Sequence, residues 1–218
     1  MSVIAIIGAG PGLGAATARR FGPEGFTVAL VSRTPEKLQK LCEELAADGV
    51  TAHAFPADVE DPAALTAALK RVAADLGPVE VLQYSPVPRM DFLRPVLEIT
   101  TEQLAAATNF SIIGSATAVQ AVVPAMVEAG RGTILLANGS SAVTPNANYA
   151  GTSVAFAGES AYGLMLHEAL APQGVHVGQL IIPGAIDGDD PLFASDALAD
   201  RLWAMHTERG EYRRTVGA

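Results

Sequence analysis

The chain has 218 residues, half of them apolar, with a formal net charge of −9 and one cysteine. Phosphate-backbone recognition needs clustered Lys and Arg, and only Lys37, Lys40 and Lys70 supply lysine, so nucleic acid is excluded as a partner. Cys42 alone cannot form an intramolecular disulfide, which predicts a reducing, cytoplasmic setting, and a chain of this length fits one domain around one core.

The opening MSVIAIIGAGPGLG lacks a basic leader and breaks into glycines, so it predicts a buried strand over 3–7 and not a signal peptide. Strand-like runs recur at 27–32, 51–55, 79–83, 132–137 and 175–181, with helical patterns between them. Such alternation predicts right-handed crossovers and a parallel sheet covered on both faces. Thr34-Pro35 and Asp61-Pro62 each set a capping side chain before a proline at the first helical position. Leu65, Leu69, Val72 and Leu76 follow at helical spacing, and Gly77 stops that helix. The longest helical pattern covers 101–129, with a capping box from Thr100 and Gln103 and a kink or break expected at Pro124. The last strand-like run ends in IIPGAIDGDDP, followed by a helical pattern near 195–209 and a polar tail, EYRRTVGA. No apolar run is expected to reach the ~20 uninterrupted residues of a membrane span, so no membrane partner is expected.

Gly8, Gly12 and Gly14, with Gly10 and Leu13 among them, lie directly after the first strand and open a helix. Glycines there permit a tight turn and let backbone amides approach a pyrophosphate at the positive helix end. Ser32-Arg33 closes the second strand, where an acid would bind a ribose 2′-hydroxyl and an arginine instead meets a 2′-phosphate. NADP(H) is therefore favoured over NAD(H). Asp58, followed by Val59 after the third strand, is a candidate acceptor for the adenine amino group or a plain helix-start aspartate. His53, His167, His176 and His206 lack metal-ligand spacing, so no metal site is expected. The Ser140-Ser141 pair has no GxSxG elbow around it, which leaves hydrolase chemistry unsupported.

Together these features resemble the short-chain dehydrogenase/reductase family, from residue 3 to about residue 209. The resemblance implies an α/β, Rossmann-type doubly wound parallel sheet in three α/β/α layers. It forms one dinucleotide-binding domain over 1–218, with a short substrate-side helix at about 190–210. The family's glycine motif falls on Gly8, Gly12 and Gly14, its acidic residue on Asp58, its helix asparagine on Asn109 and its Pro-Gly on Pro183 and Gly184. By the same resemblance Ser85 and Ile186 join the cofactor cleft. It also implies a homodimer or homotetramer built on the helices near 101–129 and 153–171.

The departures from the pattern concern chemistry. Tyr84, Ser85, Pro86 and Val87 replace the usual Asn-Asn-Ala-Gly. An ungapped alignment puts Gly139 at the family's catalytic serine, Thr152 at its tyrosine and Phe156 at its lysine. Replacement candidates are Ser140, Ser141 and Tyr149, with Asn109 holding water or helix geometry. No lysine follows Lys70, so nothing replaces the one that in the family lowers the tyrosine pKa. Taking a proton from an alcohol needs a phenolate, whereas reducing a carbonyl needs only a hydroxyl donor, so reduction is expected to suffer less than oxidation. Two readings stand: an NADP(H)-dependent oxidoreductase acting on a small carbonyl or alcohol, or an inactive dinucleotide-binding protein serving as redox sensor or partner subunit. Only about ten residues separate Ile186 from the next helical pattern, so cover for the cleft falls to Leu192 and Phe193 or to a partner subunit.

Overall fold

A computed structural model describes residues 2–218. Seven parallel strands form a single sheet: Ser2–Ile7 (β1), Phe26–Val31 (β2), Ala52–Ala54 (β3), Val79–Tyr84 (β4), Gly132–Gly139 (β5), Val175–Ile182 (β6) and Arg213–Thr215 (β7). Their order is β3-β2-β1-β4-β5-β6-β7, so the winding reverses between β1 and β4 and opens a crevice at the carboxyl ends there. Strand β1 shows why both faces must be covered. Val3, Ala5 and Ile7 pack into one core and Ile4 and Ile6 into the other, all without exposure.

The helices Leu13–Phe21 (α1), Pro35–Ala47 (α2) and Ser195–Glu208 (α7) close the second of these cores through Phe21, Leu45 and Leu202. The helices Pro62–Leu76 (α3), Thr101–Thr108 (α4), Gly114–Glu128 (α5) and Ala150–Leu170 (α6) close the first, with Leu65, Ala107, Val122 and Ala155 inside. Asp61 caps α3 as expected, its Oδ1 accepting from the Ala63 and Ala64 amides at 3.0 Å. Thr100 and Gln103 form the expected capping box on α4. Thr34 precedes Pro35 in extended conformation but makes no side-chain cap bond.

Four expectations are corrected. The pattern over 101–129 is not one regular helix, because Asn109–Ile113 form a π-helical turn between α4 and α5. Tertiary contacts cause it: the Tyr84 hydroxyl captures the Phe110 carbonyl, and Asn109 Nδ2 donates to the Glu60 carbonyl at 2.8 Å. Pro124 does not end α5, which runs on to Glu128. Contrary to expectation, Thr101–Glu128 also has the length and composition of a membrane span, yet it packs on α3 and α6 as a core helix. The tail read as merely polar contains β7 and a buried Tyr212, whose hydroxyl donates to the Ser160 carbonyl at 2.7 Å.

Candidate active site

At the β1–α1 turn, the Gly8 and Ala9 amides both donate to the Val31 carbonyl, at 2.9 and 3.0 Å. Gly8 has φ +86°, and a Cβ there would collide with the Pro86 backbone. Position 8 therefore requires glycine, because the backbone of Ser85 and Pro86 closes on the space a side chain would need. Helix α1 starts after Gly12 with no side-chain cap, leaving first-turn N–H groups available to a ligand.

A cavity of about 510 Å³ lies over this turn, lined among others by Gly10, Gly12, Leu13, Ser85, Asn138 and Ile186. Ser32, Arg33 and Lys37 line an adjoining one of about 220 Å³, which shares Gly8, Gly10 and Pro86 with the first. Val59 belongs to this smaller cavity. Asp58 does not line it, its Oδ1 accepting instead from the Glu60 amide at 3.0 Å. On the other side a third cavity of about 630 Å³ shares Gly139, Phe156 and Ile182 with the first. Ser140, Ser141, Thr144, Asn146, Tyr149, Thr152 and Pro183 line it, and no charged side chain does.

The structure brings Ser140, Ser141 and Tyr149 together around this third cavity. Tyr149 is not in the helix; it is the N-cap residue of α6, with its ring half-exposed. Thr152 Oγ1 donates to the Tyr149 carbonyl at 3.1 Å, so this hydroxyl is committed locally. At Gly139 a Cβ would find only the Ile182 carbonyl, 4.0 Å away, so this position is open space. Phe156 puts an apolar ring between the two larger cavities. Asn109 lines none of the three, because its amide is spent on the π turn.

Two residues of the cleft escaped the sequence reading. Asn138 lines the cofactor side and is held by a buried network: Gln179 Nε2 donates to its Oδ1 at 2.8 Å, and its Nδ2 donates to Glu159 Oε2 at 3.2 Å. Ser160 and Arg213 complete that network, both donating to Gln179 Oε1. Burial pushes the Glu159 carboxyl up to about 8, an effect only partly offset by the Ser111 and Asn138 side chains. A lone acid within the apolar run AGTSVAFAGESAYGL, one turn after Phe156, was the available signal. The second is Asp187, which lines the cavity of about 510 Å³ opposite the glycine turn.

A parallel sheet with its switch point at a glycine turn, a basic pocket beyond it and a polar cavity before it defines a dinucleotide-binding oxidoreductase cleft. The family model for short chain dehydrogenase matches residues 2–191, and the chain belongs to that family, whose members are NAD(P)-dependent oxidoreductases. It is similar to the 2,3-dihydro-2,3-dihydroxybenzoate dehydrogenase of Bacillus subtilis, with 30% identity over 84% of this chain and 69% of the relative. Other curated relatives are matched over 24 to 59% of their lengths. Among solved structures, a short-chain dehydrogenase from Rhodopseudomonas palustris superposes with TM-score 0.88 at 25% identity, covering 100% of this chain and 98% of that one. A metagenomic short-chain oxidoreductase in complex with NADP superposes with TM-score 0.85 at 26% identity, covering 99% and 95%.

Proposed function

We propose that the chain binds NADP(H) and reduces a small, uncharged carbonyl compound. The observation that carries this reading is the pairing of Arg33 and Lys37, beside Ser32, in a cavity that opens onto the bare backbone of Gly8 and Gly10. Neither cation takes part in an ion pair among the described residues, so both remain available to a 2′-phosphate. The cofactor fits the turn: a Cβ on Gly10 would have no neighbour within 4 Å, so the backbone there can be approached closely. When bound, the nicotinamide supplies the hydride.

The chain's own residues bind and orient. Ser85, Gly184 and Ile186 wall the cofactor cavity, and Phe156, with Gly139 and Ile182, lines both it and the adjoining substrate cavity, so the two share an apolar wall. Tyr149, Ser140 and Ser141 offer hydroxyl donors to a carbonyl oxygen in the third cavity, where the absence of charged lining favours a neutral substrate. Exposed Ile113 on the π turn between α4 and α5, with exposed Val154 and Met165 on α6, supports assembly as a homodimer or homotetramer.

A second reading, a dinucleotide-binding protein without catalysis, is favoured by Gly139, Thr152 and Phe156, none of which can serve as the proton donor or cationic partner of the resembled family. Titration calorimetry with NADPH, NADH and their oxidised forms, repeated for Arg33→Ala, tests the shared foundation. Selective NADPH binding that weakens at least tenfold in the variant is expected; absence of binding to all four sinks both readings. A carbonyl screen with Tyr149→Phe as control then separates them.

A further inference from the structure

The glycine turn faces an acid. Asp187 Oδ2 lies 3.4 Å from where a Cβ on Gly12 would stand, and Asp187 is the sole charged residue lining the cavity of about 510 Å³. The position is held rather than loose. Its amide donates to the Phe193 carbonyl at 3.0 Å, and its Oδ1 accepts from the Ser195 amide at 2.7 Å, at the start of α7. Its φ of +57° is in the left-handed region, which among non-glycine residues described here only Arg209 shares. Asp and Asn tolerate that conformation better than other side chains.

We propose that Asp187 is an affinity-determining residue that opposes the cofactor's diphosphate at the glycine turn. This rests on the dinucleotide-binding reading above. The first-turn amides of α1 attract a diphosphate, but the Asp187 carboxylate already stands beside them, with no cation in the same cavity to offset it. An incoming diphosphate meets like charge across a few ångströms, a repulsion worth about tenfold in affinity at low ionic strength and less as salt screens it. Arg33 and Lys37 lie in the neighbouring cavity, where they hold the adenosine end and leave the repulsion at Gly12 in place. Dinucleotide affinity is thereby set below what the glycine turn and basic pocket would otherwise provide, which favours cofactor exchange.

The test uses Asp187→Asn, which keeps an oxygen to accept from the Ser195 amide and tolerates the same backbone conformation. Calorimetric Kd values for NADPH and for 2′-AMP, a probe that carries no diphosphate, are compared for both proteins at low and at high salt. The expected result is NADPH binding about tenfold tighter in the variant at low salt, a gain that shrinks at high salt, with 2′-AMP unchanged. Equal or weaker NADPH binding by the variant, in a protein whose wild type binds NADPH and 2′-AMP, overturns this inference alone. An equal gain for 2′-AMP also overturns it, since the effect would then not act through the diphosphate. Failure of both proteins to bind either ligand overturns the dinucleotide reading and this inference with it. Asp187→Ala serves as a second variant: if the residue only anchors α7, it weakens NADPH binding while Asp187→Asn leaves it unchanged.

Discussion

The side-chain amide of Asn138 donates to Glu159 Oε2 at 3.2 Å, joining the wall of the cofactor cleft to the one acid that is buried among the described residues. The other oxygen of that carboxyl, Oε1, makes no hydrogen bond. Burial accordingly holds the group near 8, against 4.5 ordinarily.

Stability should therefore fall as pH rises through neutrality. Between about 4.5 and about 8 the native Glu159 keeps a proton that the unfolded chain releases, so this group lowers stability with rising pH across that window. His176 acts in the opposite sense but lower down: burial depresses it from 6.5 to about 4, so its effect is complete above 6.5. From pH 6.5 to 8 Glu159 acts unopposed, and the expected loss is on the order of 2 kcal/mol. Urea midpoints measured across this range should decline for the wild type and stay level for Glu159→Gln. A flat wild-type curve would contradict the assignment.

The Gly8–Pro86 fit predicts a large penalty for one methyl group. Gly8→Ala should cost about 1–3 kcal/mol from the φ of +86° alone, and more from the collision with Pro86. Pro86→Gly keeps the N and Cα atoms that collide, so in the same chain it should return only what a freer backbone at position 86 allows. Thermal unfolding of the two single variants and the double variant measures the coupling, and strictly additive effects would show that the two residues do not act on each other.

Tyr149→Phe removes a hydroxyl from the cavity of about 630 Å³ without touching the one over the glycine turn. If Tyr149 donates the proton, carbonyl reduction should drop about 10²–10⁴-fold while the Kd for NADPH stays unchanged. An unaltered rate would pass the role to Ser140 or Ser141. Under matched conditions the wild type should also favour reduction over oxidation, because no charged side chain lines the cavity that holds Tyr149 to favour its phenolate.

Tyr212 joins β7 to the rest of the molecule, since its hydroxyl bonds the Ser160 carbonyl and its own carbonyl accepts from the Gln179 amide. Tyr212→Phe should cost about 1 kcal/mol for the lost hydrogen bond, and Tyr212→Ala about 3–5 kcal/mol with the emptied volume. Denaturant midpoints distinguish these from a mobile tail, for which both values would be near zero.

Local patterns carried most of the fold. Apolar runs bounded by glycine and proline marked six of the seven strands to within a residue or two, because strands covered on both faces are mostly apolar. Strand β7 was hidden: Arg213 and Thr215 sit at a sheet edge where exposed polar side chains are tolerated, so neither hydrophobicity nor alternation marks it. The π turn was hidden for a different reason, since its cause lies in Tyr84 and Glu60, distant in the chain from Asn109.

By itself the sequence determined the class of fold and the glycine turn with its basic neighbour Arg33. These are local matters of spacing and residue type. Only the tertiary structure decided that Tyr149, Ser140 and Ser141 share one cavity, that Asn109 serves the π turn, that Glu159 is buried against Asn138, and that Asp187 faces the turn at Gly12. Burial, charge proximity and hydrogen-bond partners arise from contacts between segments far apart in the chain, and no local pattern encodes them.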